Sequence, residues 1–128
     1  MITPPVPAVM FELAALLLKN AAPGVPEPER ASDLGLSAML LAIAGEVWDR
    51  QAHVLVEENR AIRALLGEAG QDADLHLSAL QAENDRLRAR LIEAQTAAEA
   101  AGDTARQAAI WAELVASTER RRLSTAPI

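Results

Sequence analysis

PERASDLGLSAMLLAIAGEVWDRQAHVLVEENRAIRALL, residues 28–66, decides the fold. Leu34, Leu41, Trp48, Leu55 and Ile62 recur at every seventh position and therefore share one stripe of a helix. Leu36, Leu40, Ile43, Val47 and Val54 form an adjoining stripe, so the apolar face is wide through the first half. It narrows after Glu57-Glu58-Asn59-Arg60, and that end is expected to be the more exposed. Acidic Glu27 and Glu29 suit the positive end of a helix dipole. The pattern predicts one long helix from about Pro28 to Leu66. Gly45 and Asp49-Arg50-Gln51 are the places where it would divide if two helices stand there.

Upstream, Ala22-Pro23-Gly24-Val25-Pro26-Glu27-Pro28 is a proline- and glycine-rich break. Before it a first helix is expected over Pro7 to Ala21, with residues 1–6 as an extended lead-in because proline lacks a backbone N–H and restricts its predecessor. Ala8 to Leu18 is apolar on nearly every side, so this helix should lie deep or face a partner. The run falls short of the roughly 20 residues a bilayer needs. It contains Glu12 and follows no Lys or Arg, the reverse of a signal peptide.

Downstream, Gly67 or Gly70 can end the long helix, and Asp72 or Asp74 can cap the next. A third helix is expected over about Asp74 to Ala101. Its seam is Leu77, Leu80, Asn84, Leu87, Leu91, Ala94 and Ala98, in alternating three- and four-residue steps. Gly102 breaks it and Asp103 caps a fourth helix, Thr104 to Arg122. Ala108, Trp111, Leu114 and Val115 are read as the apolar side of that helix. Residues 124–128 are read as a loose tail. The expectation is an all-α, single-domain bundle of about four helices, with one long central helix and antiparallel neighbours.

Composition agrees. Hydrophobic residues make up 51% of the chain but aromatics only 2%, so the core must be built from Leu, Ile, Val, Met and Ala. Alanine and leucine are the best helix formers. A net charge of −6 disfavours nucleic acid. The absence of cysteine removes disulfides, thiol chemistry and cysteine-ligated metals, and it fits a reducing, cytoplasmic setting. Lys19 is the only lysine beside many arginines and alanines, a bias expected of a GC-rich bacterial genome.

The most specific candidate is the seam Leu77, Leu80, Asn84, Leu87 and Leu91, as an interface or as internal packing. Asn84 takes an a position between Leu80 and Leu87 at d, with Glu83 at g and Arg88 at e. A buried a-position Asn fixes register and favours two parallel strands. The leucine seam lasts only about two heptads, however, where isolated coiled coils need three or four. The favoured reading therefore has this helix inside its own bundle, with Asn84 hydrogen-bonded to a neighbouring helix.

Asp49, His53 and Glu57 share one helix face, and Asp72, Asp74 and His76 cluster nearby. Neither His has the Glu three positions before it that di-iron bundles require. Surface charge and capping account for both groups, and no metal or cofactor is expected. The basic turn Glu119-Arg120-Arg121-Arg122 is read as a solvated helix end, and Trp48 and Trp111 as core. No glycine-rich phosphate loop, G-x-S-x-G elbow or Ser/His/Asp system is present.

Leu40-Leu41-Ala42-Ile43-Ala44, Ala64-Leu65-Leu66-Gly67 and Asn84-Asp85-Arg86-Leu87-Arg88-Ala89-Arg90-Leu91 resemble a small helical bacterial domain of unknown function. That domain is associated with acyl-CoA dehydrogenase-like and aminoglycoside-phosphotransferase-like proteins. The resemblance spans about residues 30–120 and implies an accessory, helical protein with no catalytic residues to transfer. The expectation is a non-enzymatic accessory or interaction protein, homo-oligomeric and most simply a dimer, with no nucleic-acid or membrane partner. The alternative is a helical bundle binding a small molecule or acyl group, with a cavity under Trp48.

Overall fold

A computed structural model describes residues 5–25 and 28–124 of the chain. Its elements are α1 (Val6–Leu16), a π-helical turn (Leu17–Ala21), a 3-10 turn (Ala22–Gly24), α2 (Pro28–Leu66), α3 (Leu77–Ala101) and α4 (Thr104–Arg121). Every regular element among the described residues is helical. None of these helices is long and apolar enough to cross a membrane. The lead-in before Pro5 and the tail after Ser124 lie outside the described residues.

α2 is one helix; neither Gly45 nor Asp49-Arg50-Gln51 interrupts it. The chain divides into two compact units, Met1–Arg50 with Leu123–Ile128, and Gln51–Arg122. In the first unit α1 starts at Val6, with extended Pro5 as its N-cap and Pro7 in its first turn, where a missing N–H costs nothing. The first helix loses α geometry at Leu17, earlier than the expected Ala21, widens into the π-helical turn and then tightens into the 3-10 turn that ends at Gly24. Pro23 cannot continue it. α1 runs close to α2 at Gly45. A β-carbon on that glycine would stand 3.4 Å from Met10 Cβ and from Phe11 Cε2. Few side chains among the described residues of this unit are fully covered, Ala14 and Ala38 among them.

The second unit holds the packed core. Ile62, Leu87, Leu91 and Ile110 form its centre, with Leu65, Leu66, Ala94 and Leu114 half-buried around them. Gly67 takes φ 68 at the end of α2, and Glu68 N–H returns to Arg63 O (2.9 Å). α3 ends on Gly102 at φ 66, with Asp103 N–H donating to Ala98 O (2.9 Å), a left-handed cap that only glycine adopts cheaply. The Asp103 carboxylate then accepts Arg106 N–H (3.0 Å) to start α4.

Four expectations are corrected. α3 begins at Leu77, three residues after Asp74, and neither aspartate caps it. Asp74 instead closes a local turn by accepting the backbone N–H of His76 (2.9 Å), while Asp72 turns inward to Asn59 and Arg63. The second half of α2 is the buried half: Val54, Leu55, Glu58, Asn59, Ile62 and Arg63 are all covered. Polar residues there are sealed because each finds a partner on a neighbouring element, which periodicity alone cannot show. Trp48 is 63% exposed and Trp111 62% exposed, so neither is core. α4 turns Ile110 and Ser117 inward and leaves Ala108, Trp111 and Val115 outside. Its inner seam is Gln107, Ile110, Leu114, Ser117 and Arg121, the rotation that brings Ser117 and Arg121 to the buried carboxylate described next.

Candidate functional site

A layer of polar side chains crosses the unit Gln51–Arg122. At its centre is Glu58 on α2, wholly shielded from solvent. Arg88 on α3 donates from Nε to Glu58 Oε1 (2.8 Å). Arg121 on α4 donates from Nε to Oε2 (2.8 Å) and from Nη2 to Oε1 (3.0 Å). Three helices thus meet on one carboxylate. Burial alone would push the Glu58 carboxyl up, but the hydrogen bonds and charges of Arg121 and Arg88 outweigh it and hold it below the ordinary glutamate value. Arg88 Nη2 also donates to the buried hydroxyl of Ser117 (2.9 Å).

The layer continues through two amides. Arg121 Nη2 donates to Asn84 Oδ1 (3.2 Å), and Asn84 Nδ2 donates to Asn59 Oδ1 (3.0 Å). Asn59 Nδ2 donates to Asp72 Oδ1 (3.1 Å) and to the backbone oxygen of Leu80 (3.4 Å). These contacts occupy both donors and the acceptor of Asn59, which is what lets an amide lie at zero exposure without the cost of an unmade bond. Arg63 closes the far side, donating from Nη2 to Asp72 Oδ1 (2.7 Å) and Glu83 Oε1 (2.8 Å). Glu83 is held down to about 2, chiefly by its hydrogen bond to Arg86, with desolvation opposing and Arg63 assisting. Arg86 reaches on to Glu68 (2.9 Å), which Arg90 also binds.

The candidate seam can now be placed. Leu80, Asn84, Leu87 and Leu91 are buried in this unit; Leu77, at the first turn of α3, is 49% exposed. Asn84 is hydrogen-bonded to α2 and α4 of its own chain. Glu83 and Arg88, the flanking g and e positions, reach Arg63 and Glu58 of the same chain. Sequence reading missed Glu58, Asn59, Arg63, Ser117 and Arg121 as members of the layer. Applying the alternating three- and four-residue step to α4 would have shown Ser117 and Arg121 on the seam beside Ile110 and Leu114.

Elsewhere Glu113 and Arg120 pair within α4, and desolvation raises the Glu113 carboxyl against the pull of Arg120. Asp49 and His53 stay exposed, and His76 pairs with Asp74 at the surface. Among the described residues no three His, Asp or Glu side chains converge as metal ligands. Hollows lie along α3 and α4 and beside α1, lined by Arg88, Leu114 and Arg121, by Leu91, Ile92 and Ile110, and by Val9 and Leu13.

Compared with protein-family models, curated proteins and solved structures, the chain has no match in any of the three.

Proposed function

We propose that this chain is a non-enzymatic, self-associating helical protein of the cytoplasm, whose N-terminal helices form the interface with a second copy. One observation carries the reading. In the unit built from α1 and the first part of α2, the large apolar side chains Phe11, Leu13, Leu16, Leu36, Leu40 and Trp48 all stay more than a third exposed. Single apolar residues on a surface are ordinary, whereas six large ones concentrated on one small unit favour an interface. Two helices have too few faces to cover such a set. The same pair from a second copy supplies two more, and four helices can enclose a common apolar interior.

The polar layer favours the same division of labour. Asn84 is occupied within its own chain, so the α3 seam is not what a second copy would bind. The net charge of −6 supports a partner other than nucleic acid. The resemblance of residues 30–120 to a small accessory domain points the same way.

Sedimentation equilibrium tests the reading. The wild-type chain should be a dimer at tens of micromolar, and Leu36→Glu with Leu40→Glu should give a monomer of unchanged helix content. Both positions are about half exposed, so the substitutions spare the monomer's own packing. A wild-type chain that stays monomeric through that range would overturn the proposal.

A further inference from the structure

Two hollows run along α3 and α4 within the unit Gln51–Arg122. The larger, about 560 Å³, is walled by Arg88, Ser117, Arg121 and Arg122, with Leu114 at its side. The second, about 350 Å³, is walled by Leu91, Ile92, Ile110 and Leu114, with Arg88 also in its lining. Arg88 and Leu114 belong to both walls, so the hollows meet there. Each lies within the roughly 300–1,000 Å³ typical of small-molecule sites.

The chemistry of the joined hollow is graded. At one end stand three guanidinium groups, Arg88, Arg121 and Arg122. Arg88 and Arg121 bring two charges onto the single carboxylate of Glu58, with Glu119 against Arg122 and Glu113 within the field of Arg88, in a chain of net charge −6. Arg88 and Arg121 hold Glu58 through Nε and Nη2, yet 39% and 38% of their side chains remain open to solvent. Nη1 of either donates to no described residue. A planar guanidinium with a free edge is suited to a carboxylate or phosphate oxygen. At the other end Leu91, Ile92, Ile110 and Leu114 stand beside Gln95 and Thr96, and Ile92 is 68% exposed. The acidic residue of that end, Glu99, sits away from the arginines and would turn an anionic head back toward them.

We propose that this joined hollow binds a small amphipathic anion. Its acidic head lies against Arg88, Arg121 and Arg122, and its single alkyl chain lies along Leu114, Leu91, Ile110 and Ile92. The site is separate from the self-association surface and does not depend on it. Glu58 is a positioning residue here: it holds two of the arginines at the head end.

Titration calorimetry on the full chain tests this with dodecanoate, dodecyl phosphate, dodecyltrimethylammonium, acetate and inorganic phosphate, all kept monomeric in solution. Dodecanoate and dodecyl phosphate should bind. The cationic amphiphile and the two short anions should bind at least about tenfold more weakly. Arg122→Glu and Ile92→Asp change exposed wall residues at opposite ends, so the fold survives both; each should weaken dodecanoate by about tenfold or more. Leu36→Glu with Leu40→Glu should leave binding unchanged. The proposal is overturned if neither long-chain anion binds below millimolar concentration, or if the cationic amphiphile binds as well. It is equally overturned if both wall variants bind like wild type, or if binding disappears only in the Leu36/Leu40 variant.

Discussion

Glu58→Gln is the sharpest perturbation available, because it changes one charge at the meeting point of three helices and almost no volume. The carboxylate has no solvent contact and accepts three guanidinium hydrogen bonds at 2.8–3.0 Å. Removing one partner of a sealed ion pair costs about 3–5 kcal/mol, since the survivor is left as a buried bare charge. Here both survivors keep more than a third of their side chains in solvent and can be rehydrated. The expected loss is therefore smaller, about 2–3 kcal/mol. Urea unfolding followed at 222 nm measures it, and hydrogen exchange of α3 amides locates it in this unit. The pH dependence supplies an independent sign. The folded Glu58 carboxyl titrates below its unfolded value, so the unfolded chain binds the proton more readily. Its stabilisation is present above about pH 4.3, the unfolded glutamate value. It is lost as pH falls through the depressed folded value. Glu83, held at about 2, titrates in the same direction but contributes at most about 1 kcal/mol, because solvent screens it. The wild-type chain should thus lose stability steeply below pH 4.3, and Glu58→Gln should lose most of that slope. A variant within 0.5 kcal/mol of wild type, with the acid slope intact, would show that the arginines do not converge on Glu58.

Other perturbations follow from the same contacts. Asn84→Leu strands the acceptor of Asn59 and one donor of Arg121, and should cost about 1–3 kcal/mol in urea unfolding. Replacing the layer wholesale, Glu58, Asn59, Asn84, Arg88 and Arg121 to leucine together with Ser117→Ala, should instead leave stability near or above wild type, because the partners leave together and Asp72 keeps Arg63. Its amide NMR spectrum should show more than one set of α3 resonances. Gln95 Oε1 is buried without a hydrogen-bond partner while its Nε2 donates to Glu99, so Gln95→Leu should raise the unfolding midpoint by an amount worth about 1 kcal/mol. Gly102→Ala places a β-carbon at φ 66 and should destabilise by about 1 kcal/mol, read by thermal unfolding.

Helix positions were legible to within a few residues, since proline, glycine and the three- and four-residue steps are local signals. Gly102 and Asp103 act at the join of α3 and α4 as their types predict. Which face turns inward was not legible on α4; on the second half of α2 the stripes through Val54, Leu55 and Ile62 do face inward, but the burial of the polar residues beside them was not legible. Periodicity ranks faces by apolar content, and there the inward faces carry Glu58, Asn59, Arg63, Ser117 and Arg121. A charged residue is buried when its partner arrives from another helix, and that partner lies 30 positions from Glu58 in Arg88 and 63 in Arg121. Trp48 and Trp111 misled for the converse reason: large apolar side chains are assumed to be covered, and in this chain they are not.

The layer has a physical purpose that stability does not supply. The α3 seam beyond Leu91 continues as Ala94 and Ala98, and small side chains interdigitate poorly, so a helix sliding by one turn past its neighbours would lose little apolar contact. Asn84 meeting Asn59, and Arg88 and Arg121 meeting Glu58, are different in kind. Each bond requires one alignment, and a shift of one turn would leave amides and a carboxylate buried without partners, at about 1–3 kcal/mol for each neutral group and more for the charge. Polar residues sealed in an alanine-rich bundle therefore select one register among several of similar apolar burial. The same selection fixes where the two guanidinium edges emerge on the surface of this unit, which is a precondition for recognising an anion there.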